Sequence, residues 1–429
     1  MWLWCATMTC GGARDLPSSP DLLQPYRGPR AAGVDVATLT GKVMCGYQGW
    51  FTTGSDGSAF PWNHWTRDRK IPSAANIRVE MWPDMAEYGP GERYETAFLD
   101  GRNKPAVLFS SLHESTVDRH FSWMREYGID GAFVQRFATG LQDDRMFRVR
   151  TTVLSHCRKA ANRHGRGYAV MYDLSGLKRG GTAVVREDWL KLSRQMTITA
   201  DASYQRHRGK PLVAVWGIGF ADKREYTLEE CRDLIGFFRE QGCTVMLGVP
   251  TRWRELRADA IADQKLLEVI ALADIVSPWT VGRYGDEEEA KQHALTLRAD
   301  MVWCAEKKTD YLPVVFPGFS WHNMKPEAPF DAIPRRGGQF LWAQCVTAKR
   351  SGAGMLYVAM FDEVDEGTAI FKCDPHPPQG KDFRFLSEPH LPSDHYLKVT
   401  GAAALLMRGE IAAVERVSDA LEQVRLPRK

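Results

Sequence analysis

Residues 361–370 read Phe-Asp-Glu-Val-Asp-Glu-Gly-Thr-Ala-Ile and follow an apolar run over 354–360. Asp362, Glu363, Asp365 and Glu366 put four carboxylates into five positions where that run ends. Glu363 and Glu366 are three residues apart, a spacing that a tight turn or the first turn of a helix brings to one side. Two carboxylates held close together at the mouth of a pocket are the working parts of glycoside hydrolysis: one protonates the leaving oxygen, and the other activates the attacking one. Acidic residues after a strand also serve as a solvated loop or cap the next helix from its N-terminus. Clustered carboxylates can hold Ca²⁺ or Mg²⁺ as well, but the spacing of an EF-hand loop is absent.

The elements that must position these groups come from the hydrophobic pattern. Short apolar runs over 43–47, 131–135, 168–172, 212–216, 244–248, 274–277, 312–316 and 355–361 read as buried strands. Helical patterns near 115–127, 144–164, 185–198, 227–241, 259–271, 286–307, 338–351 and 394–407 alternate with them. Eight strands, seven intervening helices and a closing one predict a (β/α)8 TIM barrel. The stretch 48–114 is too long for an ordinary connection and reads as an elaborated first βα loop over the barrel mouth. It holds two extended candidates, 77–82 and 106–110; if either is a barrel strand, the register moves by one. Residues 1–40 read as an irregular lead-in and 41–429 as a single catalytic domain.

In such a barrel, active-site residues lie just after the strands. Tyr47, Gln48 and Trp50 end or follow the first strand, Gln135 and Arg136 the second, and Tyr172 and Asp173 the third. Trp216 ends the fourth, Trp279 follows the sixth, and Trp321 and His322 follow the seventh. His64 and Trp65 sit in an aromatic, polar stretch of the long loop. Flat aromatic faces beside polar groups suit sugar rings, which present both C–H faces and hydroxyls; tryptophan is equally a large core residue. Asp173 can also serve as a turn or cap residue, Asp84 reads first as a turn residue, and Arg136 is expected to pair with a buried carboxylate at the mouth. Asp286-Glu-Glu-Glu289 complements a helix N-terminus. Gly217-Ile-Gly219 lacks the third glycine and acidic partner of a dinucleotide fingerprint.

The segment 361–370 is similar to the Phe-Asn-Glu-Trp-His-Glu-Gly-Thr-Gln-Ile segment of glycoside hydrolase family 99. Tyr127-Gly-Ile-Asp-Gly131 resembles that family's entry to its second strand. Tyr47, Trp50 and Trp62-Asn-His-Trp65 resemble its first-strand tyrosine and aromatic loop. The resemblance runs over 42–370 in order of elements and implies a (β/α)8 retaining enzyme of the endo-α-mannosidase type, with family 71 α-glucanases as relatives. It implies that Glu363 draws the proton from the sugar 2-hydroxyl to form a 1,2-anhydro sugar, and that Glu366 is the general acid/base. Val364-Asp365 replaces the family's Trp-His and Asp362 its Asn, which marks a divergent branch. The added carboxylates are expected to raise the pKa of one member of the pair.

The chain of 429 residues carries a formal net charge of +3. That balance points away from nucleic acid and membrane surfaces as partners. An oligo- or polysaccharide is the expected substrate, with no metal or organic cofactor, no membrane span and a monomeric state. The nine cysteines form no CxxC pair, so neither a disulfide framework nor a zinc site is indicated. Residues 1–13 are apolar and small without a positive leading region, an atypical remnant of an export signal. They read equally as a mispredicted start, and it is the expected polysaccharide substrate that makes a secreted, periplasmic or surface-attached protein the expectation. The alternative function is a catalytically inactive barrel that binds carbohydrate.

Overall fold

The computed structural model describes residues 16–424. The apolar runs form nine short strands: β1 Val43–Tyr47, β2 Gly131–Phe137, β3 Gly167–Asp173, β4 Lys210–Trp216, β5 Thr244–Pro250, β6 Ile275–Trp279, β7 Asp310–Tyr311, β8 Val314–Val315 and β9 Leu356–Val358. They lie parallel in the order β7-β6-β5-β4-β3-β2-β1-β9-β8. Parallel strands flanked by helices are buried on both faces, which is why these runs are mainly apolar.

The two ends of this path belong to one run of chain. Asp310 and Tyr311 pair with Ile275 and Val276 of β6, and the Leu312 N–H donates to Val276 O at 2.9 Å. Val314 and Val315 pair with Tyr357 and Val358 of β9, whose Tyr357 N–H donates to Pro313 O at 3.0 Å. Pro313 has no N–H to give, so the strand changes partner there. The sheet therefore curls round on itself, the architecture of an α/β barrel.

The helices fall between the strands as their periodicity predicts. Glu114–Glu126, Asp144–His164, Ala183–Arg194, Leu228–Glu240, Gln339–Ser351 and His395–Arg408 match the expected spans to within a few residues. Asp143 caps Asp144–His164 by accepting from the Met146 N–H at 2.8 Å, and Thr227 with Glu230 forms a capping box. Two expectations change: the pattern over 259–271 yields only Lys265–Ile270, and that over 286–307 divides into Glu287–Gln292 and Ala294–Lys307.

The stretch 48–114 adds nothing to the parallel sheet. Pro105–Leu108 pairs antiparallel with Tyr94–Leu99, and 77–82 is irregular, so neither candidate is a barrel strand. Hydrogen bonds sew this stretch to the chain that follows β8 and β9. The Glu80 N–H donates to Val364 O at 2.8 Å, and the Asp84 N–H to Lys372 O at 2.9 Å. The buried Glu80 carboxylate accepts from Ser320 Oγ at 2.6 Å and from the Asn323 N–H. Asp84 also accepts from the Ala86 N–H at 2.9 Å, as a turn aspartate does.

Between 16 and 40 the chain is irregular apart from the short helix Ser19–Leu22. The expectation for residues 1–13, with Cys5 and Cys10, lies outside the described residues. The seven described cysteines are free thiols, and six of them are buried. Among the described residues, no helix is long and apolar enough to cross a membrane.

Candidate active site

Asp362 ties the chain after β9 to the end of β1. Its two oxygens accept from the backbone N–H groups of Gln48 and Gly49, both at 2.8 Å. Gln48 then returns the contact, its Nε2 donating to Glu363 Oε1 at 2.8 Å. The other oxygen, Oε2, accepts from Thr368 Oγ at 3.1 Å, and the Glu363 carbonyl accepts from the N–H groups of Thr368 and Ala369. These contacts fold residues 363–369 into a tight turn, with Gly367 at a φ of 68°. From behind, the buried guanidinium of Arg335 donates to Gly367 O at 2.6 Å and Ala369 O at 2.8 Å. Ser320 N–H holds the Glu366 carbonyl at 3.0 Å.

Glu363 and Glu366 both line one cavity of about 410 Å³. Gln48, Trp50, Gln135, Asp173, Trp216, Trp279 and Trp321 line it too, so nine of the fourteen residues singled out from sequence meet there. Its wall holds further groups that the sequence did not reveal, among them Phe137, Ser175, Arg283 and Phe319. Trp216 and Trp279 meet edge to face with ring centres 5.5 Å apart, and the Lys325 ammonium lies 3.8 Å from the Trp321 ring. Below, Gln135 Nε2 donates to the Tyr357 hydroxyl at 3.1 Å and to Met171 Sδ at 3.0 Å. Gly46 makes room for this floor, since a Cβ there would overlap the Met360 thioether and lie 2.6 Å from the Tyr357 hydroxyl.

Five expected residues lie off the cavity wall, each for a physical reason. Side chains alternate across a strand. Gln135 and Asp173 face inward, so Arg136 and Tyr172 face the helices. Tyr172 donates to Asp188 Oδ2 at 2.6 Å, and its ring stacks on Phe238. Arg136 forms a bidentate pair with Asp188 at 2.6 and 2.5 Å there, not at the mouth. Tyr47, one position before Gln48, is fully buried and bonds His120 Nδ1 at 2.9 Å. Trp65 is a core residue, packed on Phe51 with its indole N–H on Phe109 O at 3.1 Å. His322 bonds Ala328 O at 2.9 Å through Nδ1 and closes its own loop. His64 stands behind the wall: it stacks on Trp50 with ring centres 3.7 Å apart, and its Nδ1 lies 3.0 Å from Asp365 Oδ2.

The charge balance of the turn is uneven. Asp362, Glu363 and Asp365 are nearly or wholly buried, and the cations near them are Arg78, 3.4 Å from Asp365, and Lys325. Burial pushes the Asp362 carboxyl up to about 7 against the pull of its two N–H donors. Burial and the charge of Asp365 push Glu366 up to about 7, while the Trp321 indole, Arg78 and Lys325 draw it back. Burial and the charges of Glu366 and Asp365 raise Glu363 well above the usual carboxylate range. Two carboxyls that feel each other so strongly take up and release protons as a pair. Burial raises Asp173 as well, and its carboxyl accepts from the Ser175 N–H at 2.7 Å. Such an arrangement can keep one proton on the pair near neutral pH, ready to give, beside an oxygen ready to take one. Among the described residues, no group of three or more His, Cys, Asp or Glu side chains is arranged to hold a metal ion.

No protein-family model matches this chain, and no curated protein does. Solved structures do. A GH99 endo-alpha-mannosidase from Bacteroides thetaiotaomicron in complex with Bis-Tris propane is similar with a TM-score of 0.62 at 17% identity, covering 87% of this chain and 99% of that one. A second structure of that enzyme gives a TM-score of 0.62 at 16% identity over the same shares. At these identities the likeness establishes a shared fold over most of both chains.

Proposed function

We propose that this chain is a retaining glycoside hydrolase acting on an α-linked glycan. The observation that carries the proposal is the Glu363–Glu366 pair on one aromatic-walled cavity, with raised pKa values and more carboxylate than cation around it. The endo-α-mannosidase that shares the fold makes an α-mannoside the first substrate class to try. The curled sheet is read as a closed (β/α)8 barrel, with 310–315 as its seventh strand and 48–114 as its elaborated first βα loop. Residues 41–429 then form the catalytic domain of a monomer that works outside the cytoplasm.

Glu366 is assigned the acid role. Raised to about 7, its carboxyl can hold the proton of the pair and give it to the leaving oxygen, while donors from Gln48 and Thr368 on both oxygens of Glu363 favour the ionised form there. Glu363, fixed by Gln48 and Thr368, takes the proton of the sugar 2-hydroxyl, and that oxygen attacks the anomeric carbon to form a 1,2-anhydro sugar. Glu366, now ionised, accepts a proton from water. The water oxygen opens the anhydro ring at the anomeric carbon, and Glu363 returns its proton to the 2-oxygen. Two inversions leave the anomeric configuration unchanged. Trp50, Trp216, Trp279 and Trp321 are platforms for sugar rings, and Asp173 and Gln135 supply hydrogen bonds to hydroxyls. The two displacements at the anomeric carbon are made by the sugar's own 2-oxygen and by water, and the carboxyls supply the proton transfers, so this route calls for no cofactor.

Digestion of an α-glycan panel, with linkage analysis of the products, tests this reading. Glu366→Gln should lose activity on natural linkages and keep it on aryl glycosides whose leaving group needs no protonation. Glu363→Gln should slow both. A 2-deoxy substrate should bind without reacting. Full turnover in both Gln variants would end the assignment. Binding without any turnover in the wild type would establish the alternative, a carbohydrate-binding barrel.

A further inference from the structure

A second cavity, of about 700 Å³, opens beside the first, and Arg283 lines both. Its walls come from the chain after β5 and β6 and from the helices that follow β6. It therefore lies on the same end of the sheet as Glu363 and Glu366. Thr251, which opens the β5 loop, donates its hydroxyl to Trp279 O, so the floor of the second cavity is bonded to a wall of the first. Its size falls within the range of about 300–1,000 Å³ typical of ligand pockets.

Two side chains there keep polar atoms without a protein partner. Arg283 spends its Nε on Asp259 Oδ2 at 2.8 Å. Its terminal nitrogens take no further bond among the described residues, so one face of the guanidinium fork is open. His293 is 9% exposed, and its Nε2 is buried with no hydrogen-bond partner. Burial holds that imidazole neutral, with a pKa of about 4. A buried, unpaired ring nitrogen costs stability unless something binds it. The charges cancel locally. Glu255 engages Arg252 at 3.0 Å and also Arg257, Asp259 engages Arg283 and two backbone N–H groups, and Glu289 lines the same wall, so three carboxylates stand against three guanidiniums. The pocket therefore offers neutral hydrogen bonding, with no net charge to select an ion.

We infer that this second cavity is a subsite for a further, uncharged sugar unit of the glycan whose cleaved bond lies at Glu366, with Arg283 bridging adjacent units. A planar fork with two open donors suits neighbouring hydroxyls on one ring, and an imidazole nitrogen can serve a third hydroxyl as donor or acceptor. This inference rests on the glycoside hydrolase reading and adds the length of chain the site reads.

The test uses the full chain carrying Glu366→Gln, so that substrate binds without being cut. Its binding to neutral α-mannooligosaccharides of two to six units, and to a broader array of neutral and acidic glycans of graded length, is measured by titration. The expected result is at least tenfold tighter binding of the longer neutral members. Adding Arg283→Ala should bring the long-to-short affinity ratio close to one. Thr296→Trp, which fills the cavity from its wall and leaves Arg283 in place, should do the same. If the ratio survives both changes, or if acidic glycans gain the length advantage and neutral ones do not, the subsite assignment is overturned while the hydrolase reading stands. If no glycan of any length binds, the hydrolase reading falls first and the subsite falls with it.

Discussion

Two clusters of buried charge lie on opposite sides of the same sheet. Outside the sheet, Arg136 meets Asp188 through two hydrogen bonds, Tyr172 donates to the same carboxylate, and both charged side chains are 2% exposed. Inside, at the C-terminal ends of the strands, four carboxylates crowd one turn with Arg78 and Lys325 as the cations that act on them. The outer cluster has one cation for one anion in bidentate geometry and ties a helix to the sheet. The inner one is buried with excess negative charge, and burial first, then the neighbouring carboxylates, raises its pKa values. Buried charge by itself is therefore a poor guide to function. Buried charge that the fold declines to neutralise is the better one, because only chemistry or a ligand explains keeping it.

The largest effect that separates the clusters is on activity. On natural linkages, Glu366→Gln should lower kcat by roughly 10²–10⁴-fold, the contribution of a positioned acid. Arg136→Met should leave kcat within a few fold once the protein is folded. Steady-state kinetics on both variants, with folding checked by circular dichroism, decides it.

Stability should respond the other way round. Arg136→Met strands Asp188 without its cation and should cost about 3–5 kcal/mol in denaturant unfolding. The double change Arg136→Met/Asp188→Leu should recover most of that, because a paired apolar replacement leaves no buried charge behind. If the single change were nearly neutral, the outer pair would be contributing neither stability nor function, and the comparison would lose one side.

The inner cluster should cost stability as pH rises. Glu366 releases its proton near 7 when folded and near 4.5 ordinarily, and Asp362 near 7 against 3.8. Between those limits the folded chain binds more protons than the unfolded one, so stability falls as pH climbs through the window and levels off above about 7. Glu366→Gln, an imitation of the protonated form, should therefore raise stability at pH 8 by on the order of 1–3 kcal/mol and leave it unchanged at pH 4. Equal gains at both pH values would mean that the buried charge of Glu366 is not the cause.

The same contrast shows what the sequence made legible. Eight of the nine strands of the parallel sheet are legible because each falls in a short apolar run bounded by helical periodicity; Asp310–Tyr311 is not, since it lies just before the run at 312–316, and 361–370 stands out because four carboxylates fall in five positions at the end of such a run. Neighbouring choices were less reliable. Tyr172 and Asp173 were both placed at the site, yet alternation along a strand allows only one to face inward, and likewise Gln135 excludes Arg136. That period sends Tyr172 and Arg136 to the helix-facing side of the sheet. Trp65 was misplaced because an aromatic in a long loop looks the same whether it meets sugar or core. Arg283, Arg78 and Lys325 were beyond reach, since each matters only through the tertiary packing of a loop. The subsite reading in particular depends on two loops meeting at Arg283.

The smallest effect concerns how the inner turn is tied to the wall. His64 performs two tasks that the structure lets one separate: its ring backs Trp50, and its Nδ1 bonds Asp365. Burial lowers the pKa of His64, so near neutral pH the imidazole is uncharged and meets the carboxylate as a hydrogen-bond partner more than as an ion. His64→Phe keeps a flat ring behind Trp50 and removes the bond. It should cost about 1 kcal/mol of stability. Asp365 Oδ1 already lacks a partner, so Asp365 would then depend on Arg78 alone. With its charge less well held, the basic limb of the kcat profile, set by Glu366, should move upward in pH, while KM changes little because Trp50 keeps its support. His64→Ala removes the backing too and should raise KM severalfold. If the Phe variant shifts KM and the profile stays put, His64 serves the platform alone, and the charge of the turn is set by residues 362–366 without help from the loop.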